Sequence, residues 1–337
     1  MPGREARPAV EAQLLLASCK GGGPMQKRFL FFLALLLIVS LGLLAACGQP
    51  TPEVIKETVV VKETVVVEKK PVKLVMSFVP SGDTQQIITG GEAIERLLEE
   101  KTGYEIDTNV ATSYAAVVEA MGAGNADIGW LNTFGYILAH EKYGVEVILA
   151  TVRFGRPYYT GQIIVRADSG IKTLEDLKGK TMCWVDPLST SGYVIPRVML
   201  QAAGIDPDKD FAKTVEAGSH NNVVIAVYNG DCDAGATYVD ARRTVEKDLP
   251  DVMEKVAVIA ESPQIPNDTV SVRKDLPPEV VETIKKALLE IAQTEEGKEA
   301  LKQVYEIEDL VEVDDSFYDG FRATLDAAGV NIEELAK

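Results

Sequence analysis

The sequence predicts an α/β fold of two lobes with a ligand cleft between them, and three observations carry that expectation. From Pro71 onward, strand-like and helix-like segments alternate, the pattern of largely parallel sheets covered by helices. The alternation runs as two similar series that meet near Tyr158-Tyr159. The chain beyond Pro71 is also long enough for two domains.

In order, residues 73–78 are predicted as a strand and 85–102 as a helix stopped by Gly103. A strand at 104–110, a helix at 114–123 ended by Gly124, a short strand at 127–131, a helix at 134–143 and a strand at 146–152 complete the first series. The second opens with a strand at 162–166, followed by a short helix at 174–177 capped by Thr173. A strand at 181–185 feeds a loop and a helix at 192–203, with Gly204 where a helix end favours a left-handed residue. Residues 222–229 read as helix, 234–238 and 256–260 as strands, and 278–293, 296–305 and 316–328 as helices. One lobe is expected from 71–158 with 263–337, the other from 159–262.

The N-terminal region points to export. Lys27 and Arg28 precede an apolar run to Ala46, which ends in Leu44-Ala45-Ala46-Cys47 followed by Gly48. A charged start, an apolar middle and small residues before a cysteine describe a lipoprotein signal peptide at 25–46, cleaved before a lipidated Cys47. A transmembrane helix is the competing reading, but the segment after Cys47 lacks basic stop-transfer residues. Met25 stands directly before the basic pair, so residues 1–24 are expected to lie upstream of the true start. Residues 47–70 contain Lys56-Glu57-Thr58-Val59-Val60-Val61 and its repeat from Lys62 to Val67. Two copies are too few for a solenoid, and the segment reads as a tether, with a short hairpin as the alternative.

Cleavage before Cys47 takes the formal charge from −17 to −20 by removing five basic and two acidic groups. Such an acidic protein is a poor nucleic-acid binder. Acidity constrains the charge of a ligand in a small pocket much less. Outside the export region only Cys183 and Cys232 remain. Export permits a disulfide between them, and two buried free thiols remain the alternative.

Asp186-Pro187-Leu188-Ser189-Thr190-Ser191-Gly192 lies between a predicted strand and helix, where parallel α/β sheets bind ligands. Helix-terminal N–H groups and three hydroxyls there can hold a phosphonate, phosphate or sulfate without lysine or arginine. A plain N-cap is the simpler reading. Ala217-Gly218-Ser219-His220 opens another helix, so His220 can donate to the same anion, or sit on the surface. His140, the other histidine, falls inside an ordinary helix, and one histidine in a candidate site points to no metal centre. Asp240 and Asp268 stand at turns facing the cleft and suit a ligand with a distal cation, or are solvated loop residues. Tyr114, Trp130 and Tyr158-Tyr159 complete the candidates, with core packing the default for Trp130.

These residues resemble the phosphonate-binding, periplasmic-type proteins of ABC importers over about residues 72–320. Asp186 to Gly192 matches that family's Asp-Pro-x-Ser-Thr-Ser-Gly segment, which implies ligand contacts from Ser189, Thr190 and Ser191. His220 matches a phosphonate-reaching histidine, with one extra residue after Ala217-Gly218. Tyr114 corresponds to a ligand-contacting tyrosine, and Asp127-Ile128-Gly129-Trp130 to the family's Asp-Ile-Ala-Trp strand. Aminoethylphosphonate binders place a tyrosine next, where this chain has Leu131. Asp240 and Asp268 fall where such binders hold acids near the ligand amine, with Ser262 to Pro266 and Arg273-Lys274 matching around the second.

The resemblance implies a type II periplasmic-binding-protein-like fold and a monomeric receptor that needs no cofactor. It would deliver a phosphonate, with 2-aminoethylphosphonate as the amine-bearing candidate, to a permease and its ATPase from the outer face of the cytoplasmic membrane. A receptor for phosphate, phosphite or another oxyanion and a sensory lipoprotein are the alternatives. An enzyme is disfavoured by the lack of Gly-x-Ser-x-Gly and of a Ser-His-Asp arrangement.

Overall fold

The computed structural model describes residues 72–332. The signal peptide, Cys47 and the tether therefore lie outside the described residues. Among the described residues, no helix is long and apolar enough to cross a membrane.

Two sheets organise the chain. The first takes β1 (Lys73–Phe78), β2 (Glu105–Val110), β3 (Ile128–Leu131), β4 (Glu146–Val152), β10 (Thr269–Val272) and β11 (Asp309–Glu312), in the order β11-β4-β10-β3-β1-β2. The second takes β5 (Tyr158–Arg166), β6 (Thr181–Trp184), β7 (Lys213–Glu216), β8 (Ala234–Tyr238) and β9 (Val256–Pro266), in the order β7-β6-β8-β5-β9. The helices around them are α1 (Thr84–Thr102), α2 (Tyr114–Gly122), α3 (Thr133–Tyr143), α4 (Ile195–Ala202), α5 (His220–Asn229), α6 (Val252–Lys255), α7 (Pro278–Ile291), α8 (Glu295–Tyr305) and α9 (Asp319–Ala327).

The sheets are mixed rather than largely parallel. β1 pairs parallel with β2 and β3, and β6 parallel with β7 and β8. β10 runs antiparallel between β3 and β4, and β5 antiparallel to β8 and β9. The cause is the double crossing: β4 passes to β5 and β9 returns to β10, so each return segment enters its sheet against the prevailing direction. β10 is too short, and its flanking turn too polar, to stand out in the sequence. β9 extends to Pro266, well beyond the predicted strand, because it pairs along β5 as far as Tyr158.

Local chemistry fixes the elements that carry the cleft. α1 starts where the Asp83 carboxylate accepts from Gln86 N at 2.9 Å and stops at Gly103 with φ 69°, a left-handed C-terminus. Its buried side holds Ile87, Ile94, Leu97 and Leu98, at the spacing of one helix face. Gly90 lets α8 approach, because a Cβ there would stand 2.6 Å from Val304 Cγ2. Trp130 stacks on Phe78 with ring centroids 5.3 Å apart, so it is a core residue. Asp127 accepts from Val75 N at 2.8 Å and pairs with Arg273 at 2.6 Å, which ties β1, β3 and the end of β10.

Cys183 and Cys232 form a disulfide with Cα atoms 5.9 Å apart. It joins β6 to the residues just before β8, so the strand that feeds the Asp186–Gly192 turn is fastened to its neighbour. By chain entropy alone, a bridge between residues 49 apart contributes about 4 kcal/mol, and bridges typically deliver about 2–4 kcal/mol.

Candidate ligand site

Beyond Trp184 the chain turns at Asp186, whose Oδ1 accepts from Leu188 N at 2.8 Å. Ser189 then caps a π turn at Thr190–Val194, its Oγ accepting from Gly192 N at 3.2 Å. The sequence predicts an ordinary helix from residue 192, and Pro196 explains the difference. Proline has no N–H to give the carbonyl four residues earlier, and that carbonyl, of Gly192, accepts from Val185 N at 3.2 Å instead. π segments of this kind recur at functional sites. Gly192 is required by packing rather than by ligand approach, since a Cβ would stand 2.3 Å from Val185 Cγ2.

Ser189, Thr190 and Ser191 are all buried at the junction of the two sheets. Thr190 Oγ1 accepts from Asn132 Nδ2 at 2.8 Å and from Phe134 N at 2.9 Å. Asn132 also donates to Leu188 O at 2.7 Å. A hydroxyl with both acceptor sites used still has its proton to give, whereas Ser189 uses one acceptor site to cap Gly192. Ser191 lies against Gly161, and its hydroxyl acts on the Tyr159 phenol. Tyr114 opens α2 with its N–H 3.4 Å from Asp186 Oδ2. Its own hydroxyl is buried without a hydrogen bond of good geometry, with Ser189 among the groups acting on it. The turn is therefore a buried set of neutral hydroxyls, chemistry that can stabilise an oxyanion.

His220 is the first residue of α5, behind the Ser219 cap, and its N–H reaches across to Ser81 O at 2.9 Å. Its Nδ1 lies 2.8 Å from Thr237 Oγ1, and its ring meets Tyr238 edge-on at 4.7 Å. Burial, helped by the charge of Arg153, pushes the imidazole down to about 3, so it is neutral at physiological pH. The Thr237 contact leaves Nε2 as the ring nitrogen free for a ligand, and in the tautomer in which Thr237 donates into Nδ1 that nitrogen carries the proton.

The two acidic candidates part company. Asp240 is paired with Arg242 at 3.3 Å and Arg243 at 3.4 Å. Asp268 is half-buried, its Oδ2 accepting from Arg153 Nη2 at 2.9 Å and its Oδ1 without a hydrogen bond of good geometry, with the Thr133 backbone among the groups acting on the carboxylate. Burial raises the Asp268 carboxyl above the usual range, against the pull of Arg153. Burial also opposes the Arg153 charge, but Asp268 and the phenols of Tyr238 and Tyr159 outweigh it. The guanidinium lies over the rings of Tyr238 at 5.4 Å and Tyr159 at 6.0 Å. Tyr114, Ser189, Ser191, His220 and Asp268 thus share one buried neighbourhood, whereas Asp240 stands with its own arginines.

A cavity of about 320 Å³ opens beside this cluster, with Ser81, Asp83, Asn221, Tyr238, Arg153 and Tyr305 among its walls. Among the described residues, no three His, Cys, Asp or Glu side chains gather to hold a metal ion. Sequence reasoning missed Asn132, Arg153 and Thr237. Asn132 was findable as the first polar residue after a buried strand, at a strand-to-helix turn. Arg153 similarly ends the apolar run of β4, while Thr237 carries no sequence signal.

Residues 76–318 match the family of ABC transporter, phosphonate, periplasmic substrate-binding proteins. The phosphate-import protein PhnD of Mycolicibacterium smegmatis is 29% identical over 280 residues, covering 77% of this chain and 87% of that protein. The phosphonates-binding periplasmic protein of Escherichia coli is 29% identical over 244 residues, covering 71% of this chain and 68% of that protein. In fold, the chain is similar to a binding protein component of an ABC phosphonate transporter from Pseudomonas aeruginosa, with TM-score 0.70, 23% identity and coverage of 79% of this chain and 97% of that one. PhnD1 of Prochlorococcus marinus, solved with methylphosphonate, gives TM-score 0.70 at 17% identity, covering 78% of this chain and all of that one. The described fold is the two-lobed type II periplasmic-binding-protein fold, and the chain belongs to the phosphonate family of periplasmic substrate-binding proteins of ABC transporters.

Proposed function

We propose that this protein captures a phosphonate-class oxyanion in the cleft between its two sheets and delivers it to a membrane permease. The observation that carries the proposal is the buried run Ser189-Thr190-Ser191 at a strand-to-helix turn, in which Thr190 Oγ1 accepts two hydrogen bonds and keeps its proton to give. His220 adds a neutral donor, and Tyr114 a buried phenol. Capture needs tight uniform binding and no transformation of the ligand. The relatives support this class: one is described as a phosphate importer and another as a phosphonate binder.

Cys47 is proposed as the lipid anchor and residues 47–70 as the tether. Anchoring close to a permease raises the receptor's effective concentration there. Hinge motion at the two crossings, near 155–160 and 261–267, would open and close the cleft. 2-Aminoethylphosphonate requires Asp240 and Asp268 to be available for an ammonium, and each already holds arginine. The proposal is accordingly made for the oxyanion and not for the amine.

Calorimetric titration of the purified protein with methylphosphonate, phosphate, phosphite and sulfate tests it. At least one phosphorus oxyanion should bind with a one-to-one stoichiometry, and Ser191→Ala should weaken it. Failure of all four would end the phosphonate-class reading.

A further inference from the structure

We infer that Arg153 is a built-in counter-ion that fills the seat of a ligand ammonium, making the receptor select oxyanions without a distal amine. The inference rests on the oxyanion reading of the Ser189–Ser191 turn and specifies what that site accepts at its other end.

Arg153 follows β4 at the crossing between sheets. Its backbone pairs both ways with Arg156, N to O at 3.1 Å and 3.2 Å, around Phe154 and Gly155 with φ of 52° and 71°. Two consecutive left-handed residues make the tight primed turn that fits a hairpin, and the turn sends the Arg153 side chain inward. That side chain is only 8% exposed. It reaches Asp268, the acid placed for a ligand amine, and lies over two aromatic rings. A carboxylate flanked by aromatic faces is the usual cage for an organic cation, and here the protein supplies the cation itself.

Two consequences follow for a ligand. An incoming ammonium would have to displace the guanidinium or share Asp268 with it, bringing two like charges together where little water screens them. Conversely, Arg153 Nε is buried with no hydrogen-bond partner, so this end of the cleft offers a donor and suits an acceptor rather than a second cation. Inorganic phosphate, phosphite and methylphosphonate meet that condition.

Titration of the wild-type protein with methylphosphonate, 2-aminoethylphosphonate and phosphate, repeated on Arg153→Gln, Arg153→Lys and the double variant Arg153→Gln with Asp268→Asn, tests the inference. Wild type should bind methylphosphonate at least about tenfold more tightly than the aminated ligand, the scale of one unfavourable charge contact. Arg153→Gln, which frees Asp268, should reverse that preference. Arg153→Lys should keep it, and the neutral double variant should bind the two phosphonates about equally. The wild-type ratio alone decides the matter if Arg153→Gln fails to fold. Equal or tighter binding of the aminated ligand by wild type, or parallel weakening of both ligands in Arg153→Gln, would overturn the inference while leaving the oxyanion site standing. Loss of all three ligands in wild type would instead remove the oxyanion reading and this inference with it.

Discussion

At one end of the cleft, Ser189, Thr190, Ser191 and a neutral His220 offer hydrogen-bond donors with no net charge. At the other, Arg153 and Asp268 form an ion pair. The first end is buried and the second largely so, and neither leaves an unmatched ion in the protein. The neutral end can accept an anion without first breaking an ion pair, and its donors are already oriented by capping and by Asn132. The ionic end is preassembled and resists a second cation. Affinity is therefore expected to reside at the first end and discrimination at the second.

The largest expected effect concerns the scaffold of the neutral end. Replacing Cys183 and Cys232 together with alanine should cost about 2–4 kcal/mol of stability, measured by urea denaturation, with methylphosphonate still bound by the folded fraction. Next comes the neutral end itself. Thr190→Val removes the acceptor for Asn132 and Phe134 as well as a donor, and should weaken methylphosphonate by roughly 1.5–3 kcal/mol, measured by calorimetry. If the hydroxyls were only structural caps, stability would fall and affinity would hold.

His220 sharpens the contrast by pH. Its imidazole titrates at 6.5 when unfolded and at about 3 in the folded protein. Across that window the unfolded state binds the extra proton, so stability falls as pH drops from 6.5 toward 3, at up to about 1.4 kcal/mol per pH unit. His220→Asn should lose that component of the pH slope, read from denaturation midpoints at several pH values. The smallest effect lies beyond the ionic end. Phe154 is half exposed and left-handed, so Phe154→Gly should change stability by less than about 1 kcal/mol, in the stabilising direction, and leave ligand ratios unchanged.

The sequence makes the two ends unequally legible. Three consecutive hydroxyls between a strand and a helix form a local pattern, and a local pattern survives in a linear string. The alternating elements and the glycine stops at Gly103 and Gly204 are local as well, which is why most strands and helices sit where the sequence predicts them. The ionic end joins Arg153 to a partner more than a hundred positions away, and no spacing rule links them. The antiparallel insertion of β10, the length of β9 and the contact of Thr237 with His220 also depend on chain crossings rather than on periodicity. The π turn was hidden for a different reason: Pro196 was visible, but its effect depends on Val185 claiming the Gly192 carbonyl.

A crystal structure of the protein with methylphosphonate tests the division of labour between the ends most directly. The phosphonate oxygens should lie within hydrogen-bonding distance of Ser189, Thr190 and Ser191, with the Arg153–Asp268 pair intact. A phosphonate held by the Arg153 guanidinium, with Asp268 released and the Ser189–Ser191 hydroxyls out of contact, would contradict it.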